Sequence, residues 1–136
     1  SDRDYSFLYR EMSILPRESK NPSFLDYNKY YDGYCKFFLF GDTKKRIPDN
    51  IKIFNKIGLA YGFTIDNAYV VDLENNIEFF LSAVIYSNSN EVMNDNVYEY
   101  ENVSLPFLSE LGRKIYNYEL EREKNIPPNL SWVKKI

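Results

Sequence analysis

The sequence has 136 residues, of which 44% are hydrophobic and 18% aromatic, and a net charge of −3. This composition predicts one folded globular domain and weighs against a general nucleic-acid binder, which would usually present a basic face. The chain has no histidine and a single cysteine, Cys35. Ser-His-Asp and Cys-His catalysis, an intramolecular disulfide and the usual zinc sites are therefore excluded, and we expect no metal or other cofactor.

The first 40 residues predict two helices. The first covers residues Asp4 to Ile14 and is stopped by Pro16, because proline disrupts a helix interior. Asp26 is a suitable N-cap for a second helix that runs to Phe40. The aromatic residues of this second segment follow the 3.6-residue spacing of a core-facing stripe: they are Tyr27, Tyr30, Tyr31, Tyr34, Phe37 and Phe38. Cys35 lies among them and is interpreted as a buried small hydrophobe.

Strand patterns dominate the middle of the chain. The first predicted strand runs from Ile51 toward Leu59, and two more cover residues Asn67 to Leu73 and Ile77 to Tyr86, flanking a short hairpin loop. The simplest arrangement is an antiparallel meander of about three strands. Such a sheet has two open edges, and we expect one of them to take strands from missing chain, or from another copy in a homo-oligomer.

The remaining sequence predicts an exposed acidic loop at residues 91–101, a final helix and a charged tail at residues 121–136. Ser104 is the expected N-cap of the helix, and Pro106 suits its first turn. Gly112 would allow close packing of this helix on the sheet. The predicted core stripe consists of Phe107, Leu108, Leu111, Ile115 and Tyr118. The order of helices and strands therefore predicts an α+β fold in a single domain.

The candidate site lies in the first strand. Lys56 and Gly58 interrupt an apolar run, and a lysine in a sheet is costly unless it has a partner or faces a cleft. Glycine in a strand often marks close approach of a ligand or of another backbone. The alternative is that Lys56 extends to solvent at the sheet edge and that Gly58 serves a bulge or bend.

Several segments in this order resemble the penicillin-recognising serine hydrolases, most closely the class A β-lactamase-like branch. They are Met12 to Ser19, Ile53 to Gly62, Tyr69 to Asp72, Ile77 to Tyr86, and Pro106 to Leu108. The resemblance covers the chain up to about Arg122. It implies the C-terminal part of a β-lactamase/transpeptidase-like fold and acyl transfer on an amide or β-lactam-like small molecule.

The resemblance also implies roles for individual residues. Lys56 and Gly58 match the Lys-Thr/Ser-Gly motif of the cleft-lining strand, where the lysine anchors a substrate carboxylate. The backbone N–H of Leu59 would be an oxyanion donor, and Ile57 and Ala60 would join Lys56 in contacting substrate. Ile57 departs from the usual hydroxyl residue, which removes one hydrogen-bond donor to the substrate.

The nucleophile motif of the family is missing from its expected place. The one Ser-x-x-Lys match, Ser131 to Lys134, lies in the tail, whereas the family has this motif far upstream of Lys-x-Gly. We therefore expect the serine to come from an N-terminal part of the same protein, and this chain alone to be inactive. The resemblance implies an extracytoplasmic location. The alternative function is a non-catalytic binding or interaction module on the same fold.

Overall fold

The computed structural model describes all 136 residues and confirms the α+β prediction. Helix α1 covers Asp2–Ser13, strands β1, β2 and β3 cover Ile51–Ala60, Phe63–Asp72 and Ile77–Tyr86, and helix α2 covers Leu105–Glu121. The three strands form one antiparallel sheet in the order β1-β2-β3. Single helical turns lie between these elements and near the end of the chain.

A two-residue turn fixes the register of β1 against β2. Tyr61 and Gly62 both have positive φ, at 52° and 88°, which is the geometry of the type I′ turn that suits the twist of a hairpin. Ala60 faces Phe63 directly across the turn, and the pairing continues without a bulge to Ile51 and Asp72. The bulge considered for Gly58 is therefore not present, and β2 begins four residues before the predicted start at Asn67.

One face of the sheet carries the main core. Alternate residues of all three strands point toward α2 and toward residues 37–40, as a pleated strand with one buried face requires. Phe38, Val70, Ile77 and Leu108 are almost completely buried there. The other members of this cluster are Leu15, Phe37, Leu39, Ile47, Ile51, Ile53, Ala68 and Phe79.

The predicted helix from Asp26 to Phe40 is wrong. This segment consists of turns, a 3-10 turn at Asp32–Cys35 and a distorted helical turn at Phe37–Phe40, in which Leu39 has a φ of 70°. The side chain of Asp26 does accept a backbone hydrogen bond, but the donor is the N–H of Asn28, in a local turn. The helix was predicted wrongly because the spacing of aromatic residues was the main signal used for this irregular segment.

Helix α2 holds this irregular segment by side-chain hydrogen bonds. Ser109 Oγ donates to the carbonyl of Phe37 at 2.8 Å, and Arg113 Nη1 donates to the carbonyl of Leu39 at 2.9 Å. A Cβ at Gly112 would lie 2.7 Å from the backbone nitrogen of Leu39. Gly112 therefore permits close packing, as expected, but against the Phe38–Leu39 backbone rather than against the sheet.

Buried polar side chains explain why residues 36–38 do not form the hydrogen bonds of a regular helix. Asp66 Oδ2 on β2 accepts from the backbone N–H groups of Phe37 and Phe38, at 3.1 and 3.3 Å. Asn55 donates to Asp66 Oδ1, and Lys36 Nζ donates to Asn55 Oδ1 at 2.7 Å. Because a buried polar group is costly without a partner, these side chains specify the path of the backbone beside the sheet.

The predicted C-terminal helix is confirmed as α2, but the first and last residues of its predicted core stripe do not lie in the core. Phe107 and Tyr118 are largely exposed, whereas Leu111 and Ile115 pack against the core cluster. Ser104 does not cap the helix with its side chain, since its hydroxyl lies 2.7 Å from that of Ser87.

Helix α1 begins with a capping box formed by Ser1 and Asp4, and none of its residues is buried. It lies beside β1, where the ring of Tyr9 contacts those of Phe54 and Trp132. Neither helix is long and apolar enough to cross a bilayer.

The charged tail is only partly a surface segment. Leu130 and Val133 are buried against Phe54 and Val71, on the sheet face opposite the main core. The tail therefore forms a second, smaller core at one end of that face.

We predict that Asp66→Ala lowers the free energy of unfolding by about 3 kcal/mol, because it leaves two buried backbone N–H groups and an amide without an acceptor. Urea denaturation of the purified chain measures this change. Asn67→Ala, an exposed substitution on the same strand, is the control and should change stability by less than about 0.5 kcal/mol. Equal effects of the two substitutions would contradict this role of Asp66.

We also predict a pH dependence from Lys36. Burial is the main cause that lowers the pKa of Lys36 from 10.5 to about 8, against the opposing effects of Cys35 and Asp66. Between pH 8 and pH 10.5 the unfolded chain therefore binds more protons than the folded chain, and the free energy of unfolding rises with pH. From pH 8 to 9.5 the gain should be roughly 1.5 kcal/mol by urea denaturation. A Lys36→Met variant should lack this gain, and an equal gain in both proteins would contradict the assignment.

Candidate functional site

The second face of the sheet is covered only at one end. Helix α1 and the tail cover the end nearest Phe54 and Val71, and beyond them several apolar side chains face solvent. Phe80 is 82% exposed and Val84 is 59% exposed. The rest of this uncovered face includes Phe63, Ile65 and Tyr86. An apolar sheet face of this kind marks a binding or packing surface.

The free edge of β1 presents the backbone of Leu59. Leu73 N–H donates to the carbonyl of Asn50 at 2.9 Å, so that residues 50 and 73 form a hydrogen-bonded pair. Such pairs alternate with non-hydrogen-bonded ones along an antiparallel ladder, and Leu59 faces Thr64 in one of the latter. The N–H of Leu59 consequently points away from β2, and its side chain is 44% exposed.

Lys56 lies at the same edge, on the uncovered face. Its side chain is exposed, and Nζ donates to the carbonyl of Ile57 at 2.6 Å. No carboxylate lies within 4.0 Å of this ammonium group. The edge therefore combines an unpaired positive charge with an outward backbone N–H three residues away, and both groups suit an anionic ligand.

The other residues assigned to the site from the sequence lie on both sides of the strand. Gly58 is on the face of Lys56, and a Cβ there would lie 2.9 Å from Ile65 Cγ2. Ile57 points to the opposite face and packs against the main core. Ala60 is exposed at the end of β1. Lys56, Gly58 and the Leu59 backbone thus lie along one strand edge, while the Ile57 side chain turns away from them.

A polar row next to Lys56 was not identified from the sequence. Lys56 pairs directly with Asn67, which pairs with Ser82 on β3. The Ser82 hydroxyl donates to Asn67 Oδ1. Since neighbouring strands lie about 4.8 Å apart, the strands carrying Lys56 and Ser82 are separated by roughly 10 Å. Side chains alternate between the two faces in all three strands, and this alternation, followed through both hairpins, is the sequence signal that could have placed Lys56, Asn67 and Ser82 side by side.

An aromatic groove of about 710 Å³ opens on this face beside α1. The rings of Tyr69 and Phe80 stack with centroids 4.6 Å apart, and Tyr69 stacks on Trp132 at 6.0 Å. The Tyr69 hydroxyl donates to Glu78. Burial and this hydrogen bond raise the pKa of Tyr69. The remaining lining residues are Tyr9, Met12, Phe54, Asn67, Ala68, Leu81 and Ser82. The volume and lining are typical of small-molecule sites.

The remaining nucleophile candidates, Ser131 and Cys35, lack the features of an activated nucleophile. Ser131 Oγ in the tail donates to Asn129 Oδ1 at 2.7 Å, and no hydrogen bond joins it to Lys134. Cys35 is half-buried, and burial raises the pKa of its thiol above the ordinary value. A thiol of raised pKa is a poor nucleophile at neutral pH. The chain also contains no cluster of three or more side chains placed to bind a metal ion.

No protein-family model matches this sequence, and no curated protein or solved structure is significantly similar to it. The resemblance to serine hydrolases therefore remains a prediction based on the sequence segments quoted above.

Proposed function

We propose that this chain is the C-terminal sheet-and-helix part of a serine hydrolase that performs acyl transfer on an amide or β-lactam-like substrate. The observation that carries the proposal is the β1 edge, which presents both the unpaired Lys56 ammonium and, three residues further on, the outward N–H of Leu59. The nucleophilic serine comes from another segment of the same protein, and the chain alone is inactive.

The two edge groups would act on different parts of the substrate. Lys56 attracts the substrate carboxylate as a fixed positive charge. The Leu59 N–H donates a hydrogen bond to the carbonyl oxygen as negative charge develops on it. Such a donor typically lowers the barrier by about 3 kcal/mol, since it is already oriented in the free enzyme.

The uncovered sheet face supports a separate serine-bearing segment. Lys56 and Gly58 point to the same side of the sheet as Phe80 and Val84, both of which are exposed. A segment packed on these side chains would cover apolar surface and bring a serine next to the β1 edge. Covering this surface stabilises the assembly by about 25 cal/mol per Å² of apolar area.

We predict that the longest product of this gene forms a covalent adduct with a fluorescent penicillin or with a fluorophosphonate, detected by intact mass. The 136-residue chain should form none, because it lacks the nucleophile. Lys56→Ala in the longest product should slow labelling by the penicillin at least ~10-fold, because the carboxylate anchor is lost.

The matched control is Lys52→Ala, which removes a lysine from the same face of the same strand. It should label at the rate of the unmodified protein. Absence of any adduct on a folded longest product would overturn the hydrolase proposal, as would equal slowing by both substitutions.

The aromatic groove favours a second candidate function, a non-catalytic binding module. Tyr69, Phe80 and Trp132 offer a stacked apolar wall, and Glu78 adds a carboxylate at its rim. This arrangement suits a peptide that carries apolar and cationic side chains, because aromatic faces and a carboxylate both attract cations.

The dye 1-anilinonaphthalene-8-sulfonate distinguishes the two functions, since it fluoresces on apolar surfaces. We predict that it binds the 136-residue chain and that Phe80→Ser weakens this binding at least ~5-fold. On the longest product, the hydrolase proposal predicts loss of the Phe80-dependent binding, because the serine-bearing segment covers the face. Retained Phe80-dependent binding there would favour the binding module.

A further inference from the structure

The outer edge of β3 differs from that of β1 in how it is protected. Strand β1 has Lys52 and Lys56, and helix α1 lies beside it. Strand β3 contains no lysine, proline or glycine, and its pairing with β2 is continuous from Ile77 to Tyr86 without a bulge. Charged residues, proline and bulges are the usual devices that prevent strand addition at an edge. The β3 edge therefore lacks them, apart from the carboxylate of Glu78.

The backbone groups of this edge are unpaired along its length. Ser87 N–H donates to the carbonyl of Gly62 at 2.8 Å, which sets the odd-numbered residues of β3 as the hydrogen-bonded partners of β2. The N–H and C=O groups of the alternate residues point outward: these residues are Glu78, Phe80, Ser82, Val84 and Tyr86. No hydrogen bond from outside the sheet reaches those groups.

We propose that the β3 edge is a self-association surface, at which two copies of this chain pair antiparallel to form one six-stranded sheet. The occupant is a second copy because the edge is complementary to itself. Its five outward-pointing residues are symmetric about Ser82, so a two-fold axis at Ser82 pairs every one of them. Phe80 then lies opposite Val84 of the second copy, and Glu78 lies opposite Tyr86 of the second copy.

This register is also favourable for the side chains. An aromatic residue opposite a β-branched one is among the stabilising cross-strand pairs, and no like charges oppose each other. On the opposite face, Phe79 meets Ile85 of the second copy, and Leu81 meets Ala83 of the second copy. The inference is independent of the proposed hydrolase activity, since the β1 edge remains free at both ends of the joined sheet.

Sedimentation analysis of the 136-residue chain tests the proposal, from about 5 to about 200 µM because association follows mass action. We expect a mass that rises toward twice 16.2 kDa. Ser82→Pro removes one outward N–H and leaves the β2–β3 ladder intact, so it should be monomeric with an unchanged circular dichroism spectrum. Leu59→Pro, the equivalent change on the β1 edge, should still dimerise. A monomeric unmodified chain across this range, or a dimeric Ser82→Pro variant, would overturn the proposal.

Disulfide trapping tests the register. In a Cys35→Ser background, Ser82→Cys should form an intermolecular disulfide on mild oxidation, because paired residues at the two-fold axis have Cα atoms about 5.5 Å apart. Asn67→Cys is the matched control: it is exposed in the same cross-strand row but lies on the central strand. It should stay monomeric on a non-reducing gel. Equal crosslinking of the two variants would contradict pairing at the β3 edge.

Discussion

The buried carboxylate of Asp66 is the interaction on which the rest of the structure depends. It joins the central strand to the backbone of Phe37 and Phe38, and through Asn55 to the ammonium group of Lys36. Lys36 in turn donates to the carbonyl of Met12 at the end of α1. One acidic side chain therefore links, through this hydrogen-bond network, three parts of the chain that are distant in sequence. Burial raises the pKa of Asp66.

This constraint also determines which sequence predictions were correct. The meander and both terminal helices were predictable, because they depend on local patterns of apolar residues and on prolines that stop or begin a helix. The segment from Asp26 to Phe40 was not, because its path follows hydrogen bonds to Asp66, Ser109 and Arg113, which lie at least 28 positions away from the residues they hold. Helical spacing of aromatic residues carries no information about such distant partners.

The sequence predicts candidate site residues on β1, but it does not predict the geometry around them. Lys56 and Gly58 were identified from the sequence. The outward direction of the Leu59 N–H, however, follows only from the alternation of hydrogen-bonded and non-hydrogen-bonded pairs between β1 and β2. The side chain of Ile57 enters the core because side chains alternate between the two faces along β1. The row of Asn67 and Ser82 was missed because β2 was expected to begin at Asn67 rather than at Phe63.

The sheet thus has two edges and two faces with different characters. One edge presents a cation and a backbone donor, the other a mostly apolar strand whose only charged residue is Glu78. One face is filled by α2, while the other is half covered by α1 and the tail. The two proposals use opposite edges of this sheet. The acyl-transfer cleft would lie at the β1 edge, and pairing with another copy would occur at the β3 edge.

The two-residue turn at Tyr61 and Gly62 has a consequence for how the chain folds. Both hairpins connect strands that are adjacent in sequence, and consequently no paired residues of the sheet are farther apart in sequence than Phe63 and Tyr86. Chains with such local contacts close their loops at small entropic cost and fold rapidly. The sheet can therefore assemble as a unit before the tail docks, and Lys56 and Leu59 keep the spacing that the extended strand β1 gives them.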